Sequence, residues 1–206
     1  MTAILISREI RDNKDTLYVA ADQRVSSDDL VISDHNKKIF TFEPDMTHEY
    51  RRHYVTVGDV MPTDYIINKI EALASLDDLY GYMFENELLT RMKGNIVFYI
   101  VVEVPGKPQI IQVYKNDKRS GVVNHNLDEV VHNPIFDGSG GAALLSAYSA
   151  YTDLVARSEG EEKLDFTIPK LIYLSFKVAA KTISSMNANV TLLEIPIKKV
   201  RRSKKS

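Results

Sequence analysis

The stretch NIVFYIVVEV (95–104) limits what this chain can fold into more than any other. It is almost uninterruptedly apolar and rich in β-branched and aromatic residues. It is also far short of the roughly 18–20 apolar residues a helix needs to cross a bilayer. Such a run reads as a strand buried on both faces, which demands an apolar layer on each side of its sheet. PGKP (105–108) then turns the chain into a second strand, QIIQVY (109–114).

The remaining segments supply those layers. AILIS (3–7) and TLYVAA (16–21) read as strands, and the polar EIRDNKD between them, with Asn13 and Asp15, reads as a hairpin connection. KIFTF (38–42) and HYVTV (53–57) are further strands. Over 64–93 the apolar residues Ile66, Ile67, Ile70, Leu73 and Ala74 recur at helical steps, and a break near Leu76–Leu79 divides the stretch into two helices. GVVNH (121–125) and NPIFDG (133–138) are short strands. GAALLSAYSAYTDLVA (141–156) is a helix with Leu144, Ala147, Tyr148, Tyr151, Leu154 and Val155 on one face. RSEGEEKLD is a solvated loop. IPKLIYLSFKVAAKTI (168–183) is a second helix, its proline tolerated in the first turn, and VTLLEIPI (190–197) closes the set as a strand.

Runs of strands and runs of helices alternate as blocks, which predicts an α+β layered domain rather than a βαβ repeat. Two sheets face to face with a helical layer outside each would cover every apolar face. No internal repeat and no long linker interrupts this order. The expectation is one domain over 1–197 followed by a disordered basic tail, KKVRRSKKS (198–206).

Composition narrows the function classes. A formal net charge of −2 gives no global field for nucleic acid or membrane, and the tail reads as a solubilising end rather than a phosphate-binding one. The chain has no cysteine, so it has neither a disulfide framework nor a thiolate metal site. His35, His48, His53, His125 and His132 are scattered without metal-ligand spacing. No metal and no cofactor is expected. The N-terminus lacks a basic region followed by an apolar core and a cleavage site, so a cytosolic location is the expectation.

The chemistry-bearing residues begin at MTAILIS. Methionine is commonly removed before a small residue, which would leave Thr2 with a hydroxyl and a free α-amine. That amine titrates at about 7.7–8.0, so one residue would carry a nucleophile and its own base. Asp22 ends the second strand in AADQRVS, and Lys38 begins the next in HNKKIF. An ammonium near the Thr2 hydroxyl would lower its pKa, and a carboxylate beside that ammonium would hold it charged. DGSGG (137–141) lies where a strand passes into a helix, and its glycines allow close backbone approach. Gly58 follows the strand HYVTV. Taken singly, each of these has an ordinary structural explanation.

Together and in order, Thr2, AAD (20–22), NKKIF (36–40) and GSGGAAL (138–144) resemble the proteasome β-subunit family, and most closely its bacterial HslV-like branch. AAKTISSMNANVTLLEI (179–195) is similar to the family's last helix, turn and strand. The resemblance implies a four-layer αββα sandwich of the N-terminal nucleophile (Ntn) hydrolase kind. It implies a threonine endopeptidase with Thr2 as nucleophile, Asp22 and Lys38 in support, and Ser139 near the threonine amine. Gly58 corresponds to the glycine whose N–H stabilises the oxyanion. It also implies a homo-oligomeric ring or stacked rings, peptide or unfolded-protein substrates, and an ATP-dependent unfoldase as partner. VGDVMPTD (57–64) departs from the family's small-residue run, and SSMN (184–187) lacks its aspartate. A catalytically silent assembly or adaptor module with the same fold is therefore the alternative, and an Ntn amidase acting on a small amide is a third.

Overall fold

The computed structural model describes residues 2–27, 30–57, 60–73, 79, 81–82, 89, 93–158, 166–184 and 186–197. The expected second helix of the 64–93 stretch lies mostly outside the described residues, and the basic tail lies wholly outside them.

The chain opens with β1 (Ala3–Arg11) and β2 (Lys14–Asp22), an antiparallel pair running from Ile4↔Ala21 to Arg11↔Lys14. Only Asp12 and Asn13 make the turn, both at positive φ (51° and 62°). Asp and Asn tolerate this conformation better than other side chains, and it matches the twist of a two-residue hairpin. The polar segment expected as a loop is therefore mostly ladder. Its charges pair across the strands: Arg8 donates through Nε and Nη2 to the two oxygens of Asp15, at 2.8 and 2.7 Å.

A short ribbon, β3 (Val25–Ser27) and β4 (Leu30–Ser33), precedes β5 (Ile39–Phe42) and β6 (Arg52–Thr56). Helix α1 (Val60–Glu71) comes next, then the strands β7 (Ile96–Val102), β8 (Gln109–Lys115) and β9 (Ser120–His125). A single turn, α2 (Leu127–Val130), leads to β10 (Ile135–Gly138). The long helices α3 (Gly141–Arg157) and α4 (Ile168–Thr182) and the strand β11 (Val190–Pro196) follow.

Two main sheets result. One runs β10-β1-β2-β11 and the other β5-β6-β7-β8-β9, with antiparallel neighbours throughout. Strand alternation sends each apolar set to its own layer. Ile4, Ile6, Leu17, Val19 and Ala21 face the other sheet, where Val55, Tyr99, Val101 and Ile110 meet them. Ala3, Leu5, Tyr18 and Ala20 face α3 and α4 through Leu144, Tyr148, Ile172 and Phe176. On the far side Phe98, Ile100 and Val102 are covered by Ile66, Ile67 and Ile70 of α1. NIVFYIVVEV is thus buried on both faces, as its composition demanded, and the architecture is the αββα sandwich.

Helix α1 is pinned by charge as well as by packing. Arg52 is 1% exposed and donates to both carboxylate oxygens of Glu71, at 2.9 and 2.7 Å, while the Tyr54 hydroxyl donates to Glu71 Oε1. The buried Arg52 guanidinium and Tyr54 hydroxyl thereby find an acceptor in the partly buried Glu71 carboxylate.

Candidate active site

The register of the first sheet places Thr2 one residue before Ala3, the partner of Gly138. β1 is an interior strand, flanked by β2 and β10, so its first residues are held from both sides. Thr2 is 5% exposed.

Asp22, at the end of β2, is fully buried. Its Oδ1 accepts from the backbone N–H of Ala3 at 2.8 Å and from the Lys38 ammonium at 3.0 Å. One oxygen therefore binds both the residue that follows Thr2 and the lysine. Its Oδ2 accepts from the Arg24 N–H at 3.2 Å. Lys38, 4% exposed, also donates to the Arg24 carbonyl. An ammonium has three N–H donors, and among the described residues two of those on Lys38 are engaged. Burial pushes the Lys38 pKa down, and the adjacent Asp22 charge works against that shift.

Arg24 is held in turn. Its Nε donates to Asp34 Oδ1 at 2.6 Å and its Nη1 to the Ser184 carbonyl at 2.6 Å. Asn187 donates to both the carbonyl and the carboxylate of Asp34, at 3.0 and 3.2 Å. The segment that receives Lys38 is thereby tied to the turn before β11.

DGSGG meets Thr2 from the other side. Gly138 pairs with Ala3 and has a φ of +88°. A Cβ built there would lie 1.9 Å from the Thr2 carbonyl oxygen, so only glycine lets the two backbones approach this closely. At Gly140 a Cβ would meet Met186 Sδ at 2.0 Å and Ala3 Cβ at 3.0 Å. Ser139 sits between these two glycines, exposed, in the turn that leads into α3.

Four of the five expected residues lie among the described ones: Thr2 just before β1, Asp22 at the end of β2 and bonded to Ala3 N–H and Lys38, Lys38 just before β5, and Ser139 beside Gly138. Gly58 lies outside the described residues. Val57, which precedes it, has Cγ1 3.2 Å from the Cβ position at Gly138. Two participants escaped the sequence reading. The Arg24 contact is made by a main-chain carbonyl, which no side-chain motif announces. Asp137 was seen only as part of a glycine-rich turn. Among the described residues no group of histidine, aspartate and glutamate is placed to hold a metal. No helix among them is long and apolar enough to cross a membrane.

A separate cleft of about 440 Å³ opens between the edge strands β5 and β11 and the β7–β8 connection. There His53 joins Thr41 Oγ1 at 2.9 Å and Glu103 Oε1 at 2.7 Å. None of the four described candidate residues lines it.

No protein-family model matches the sequence, and no curated protein matches it either. Solved structures do. HslV from Trypanosoma brucei is similar over 93% of this chain and 98% of its own, at 15% identity and a TM-score of 0.52. Thiobacillus denitrificans BPH in complex with epoxomicin is similar over 96% of this chain and 100% of its own, at 14% identity and a TM-score of 0.58. A further structure of Thiobacillus denitrificans BPH is similar at 13% identity and a TM-score of 0.56, over 96% of this chain and 99% of its own. The chain has the proteasome/HslV-like Ntn sandwich fold.

Proposed function

We propose that this protein is a threonine-type peptidase that works through the α-amine and hydroxyl of Thr2 once Met1 has been removed. The observation that carries the reading is the single Asp22 oxygen that binds Lys38 and the Ala3 N–H together, directly beside Thr2. The Ntn fold supports it.

In this mechanism the Thr2 Oγ attacks the carbonyl carbon of a peptide bond while the Thr2 amine takes the hydroxyl proton. The remaining Lys38 N–H stabilises the developing alkoxide, and Asp22 keeps the ammonium charged and aimed. The tetrahedral oxyanion is received by the Gly58 N–H, a type of donor worth about 2.7–4 kcal/mol. The C–N bond breaks as the α-ammonium returns its proton to the leaving amine. Water then adds to the resulting ester, giving its proton to the amine, and the Thr2 hydroxyl is released. Ser139 orders the amine from the Gly138 side. The chain acts within a homo-oligomeric ring or stacked rings, on peptides or on protein fed by an ATP-dependent unfoldase.

The test is hydrolysis of fluorogenic peptides by Met-processed protein beside Thr2→Ala, with mass spectrometry for epoxomicin captured on Thr2. Cleavage and capture in the first and neither in the second is the expected result. Equal rates in both overturn it. The alternative, a catalytically silent module of the same fold, draws on the burial of Thr2. Retention of Met1 in protein isolated from cells would select it, because an acylated amine is no base.

A further inference from the structure

Asp137 places a carboxylate between the two sheets, and the peptidase mechanism gives it no task. It stands opposite Ile4 in the β1–β10 pairing, the residue just before Gly138. Its Oδ1 accepts from the Gly138 N–H at 2.6 Å. Its Oδ2 accepts from the Tyr99 hydroxyl of β7 at 2.6 Å and from Gln112 Nε2 of β8 at 3.3 Å. Gln112 Nε2 also donates to the Tyr99 oxygen at 2.8 Å, and Gln112 Oε1 lies 3.1 Å from His125 Nε2 of β9. With His125 Nε2–H donating to Gln112, every bond in the series has one donor and one acceptor. The series ends on an acceptor-only carboxylate.

The series crosses from one sheet to the other, and so does the candidate site. Thr2 and Asp22 lie in or beside the β1–β2 pair, while Lys38 leads into β5 of the opposite sheet. Backbone bonds hold each half internally; between the halves the Asp22–Lys38 bond is directional, whereas the apolar contacts of the shared core are not. The Asp137 bridge is directional at both ends. On one side it grips Tyr99, which is 1% exposed and fixed in the middle of its sheet. On the other it fixes the N–H of the glycine whose backbone lies against the Thr2 carbonyl.

We infer that Asp137 and Tyr99 are positioning residues for Thr2, forming an inter-sheet clamp that sets Gly138, and through it the nucleophile, against the lysine and oxyanion side. This rests on the peptidase reading. A shift of about 1 Å in a reacting atom costs on the order of 100-fold in rate, so a clamp of this kind acts on turnover rather than on substrate affinity.

Tyr99→Phe and Asp137→Asn test it in the full chain. Tyr99→Phe removes one hydroxyl and keeps the packing. Asp137→Asn keeps the shape but turns one acceptor into a donor, so one end of the bridge has no match. In each, kcat for peptide hydrolysis and the rate of epoxomicin capture on Thr2 should fall by about 10- to 100-fold with KM little changed. The double variant should fall no further than the worse single one, since the two residues form one bridge. Amide exchange supplies the second readout: Gly138 should exchange faster in both variants while Ile4, Leu5 and Ile6 keep their protection. Wild-type kcat in both variants overturns the inference, as does unchanged exchange at Gly138. A wild type that cleaves nothing, like Thr2→Ala, instead overturns the peptidase reading, and Gly138 exchange then decides the clamp by itself.

Discussion

The Lys38 ammonium stands 3.0 Å from the Asp22 carboxylate, with neither side chain more than 4% exposed. Two charges this deep are tolerated because each is hydrogen-bonded, Asp22 by two backbone N–H groups and Lys38 by a carbonyl. Lys38→Met keeps the stem and removes the charge, leaving a buried carboxylate without its cation. The expected cost is about 3–5 kcal/mol of stability, read from urea unfolding. Peptidase activity should be abolished, even under conditions where the variant remains folded.

Gly138→Ala should be worse than its single methyl suggests. The new Cβ would meet the Thr2 carbonyl at 1.9 Å, and alanine is strained at a φ of +88°. The conformational strain alone is on the order of 1–3 kcal/mol. The variant should show a lowered Tm and lose epoxomicin capture, whereas Ser139→Ala, at an exposed turn position, should keep the wild-type Tm.

Glu71→Gln separates stability from chemistry. It weakens the fork that neutralises Arg52 and leaves a guanidinium 1% exposed with the more distant Asp45 carboxylate, at 3.5 Å, to balance it. Loss of one partner from such a pair costs about 3–5 kcal/mol, so the midpoint of urea denaturation should drop clearly. The Asp22–Lys38 geometry is not touched, and kcat of the fraction still folded should equal that of the wild type.

Acid should loosen the site from its rim. The hydrogen bond and charge of Arg24 hold the Asp34 carboxyl below its ordinary value of 3.8, with Asn187 adding to the shift. A carboxylate with a lowered folded pKa contributes stability that is fully present above pH 3.8 and lost as pH falls through the folded value. Wild-type Tm should therefore decline more steeply below pH 3.8 than that of Asp34→Asn. Equal slopes would show that the Arg24–Asp34 pair is not linked to folding.

On the peptidase reading, kcat/KM should rise with pH as the Thr2 amine loses its proton and becomes able to act as the base. A pH–rate profile of processed protein checks this. Protein that retains Met1 should show no such limb.

The sandwich was legible because its strands alternate cleanly: Ile4 and Ile6 go to one layer and Ala3 and Leu5 to the other. Thr2, Asp22 and Lys38 stood out only as a set, through the resemblance that AAD, NKKIF and GSGGAAL carry together; taken singly, each borders an ordinary strand. The β3–β4 ribbon was missed because SSDD offers no apolar alternation, and the β1–β2 strands were read too short because their outer pairs are charged. The Asp137 bridge had no local signature at all. Tyr99, Gln112 and His125 occupy three neighbouring strands, and only the packing of one sheet on the other brings them to a carboxylate far along the chain.

The interior position of β1 has a consequence for how the protein matures. Thr2, whose peptide bond to Met1 has to be cut, is 5% exposed and immediately precedes a strand laddered on both edges. An aminopeptidase has to draw that bond into its own cleft in extended form, which a completed sandwich resists. On the peptidase reading, trimming and folding therefore compete in time. A chain trimmed as it leaves the ribosome closes around a working nucleophile, and one that folds first is locked in its inert form. Abundance and active-site occupancy would then be separate quantities, set by the relative pace of synthesis and trimming.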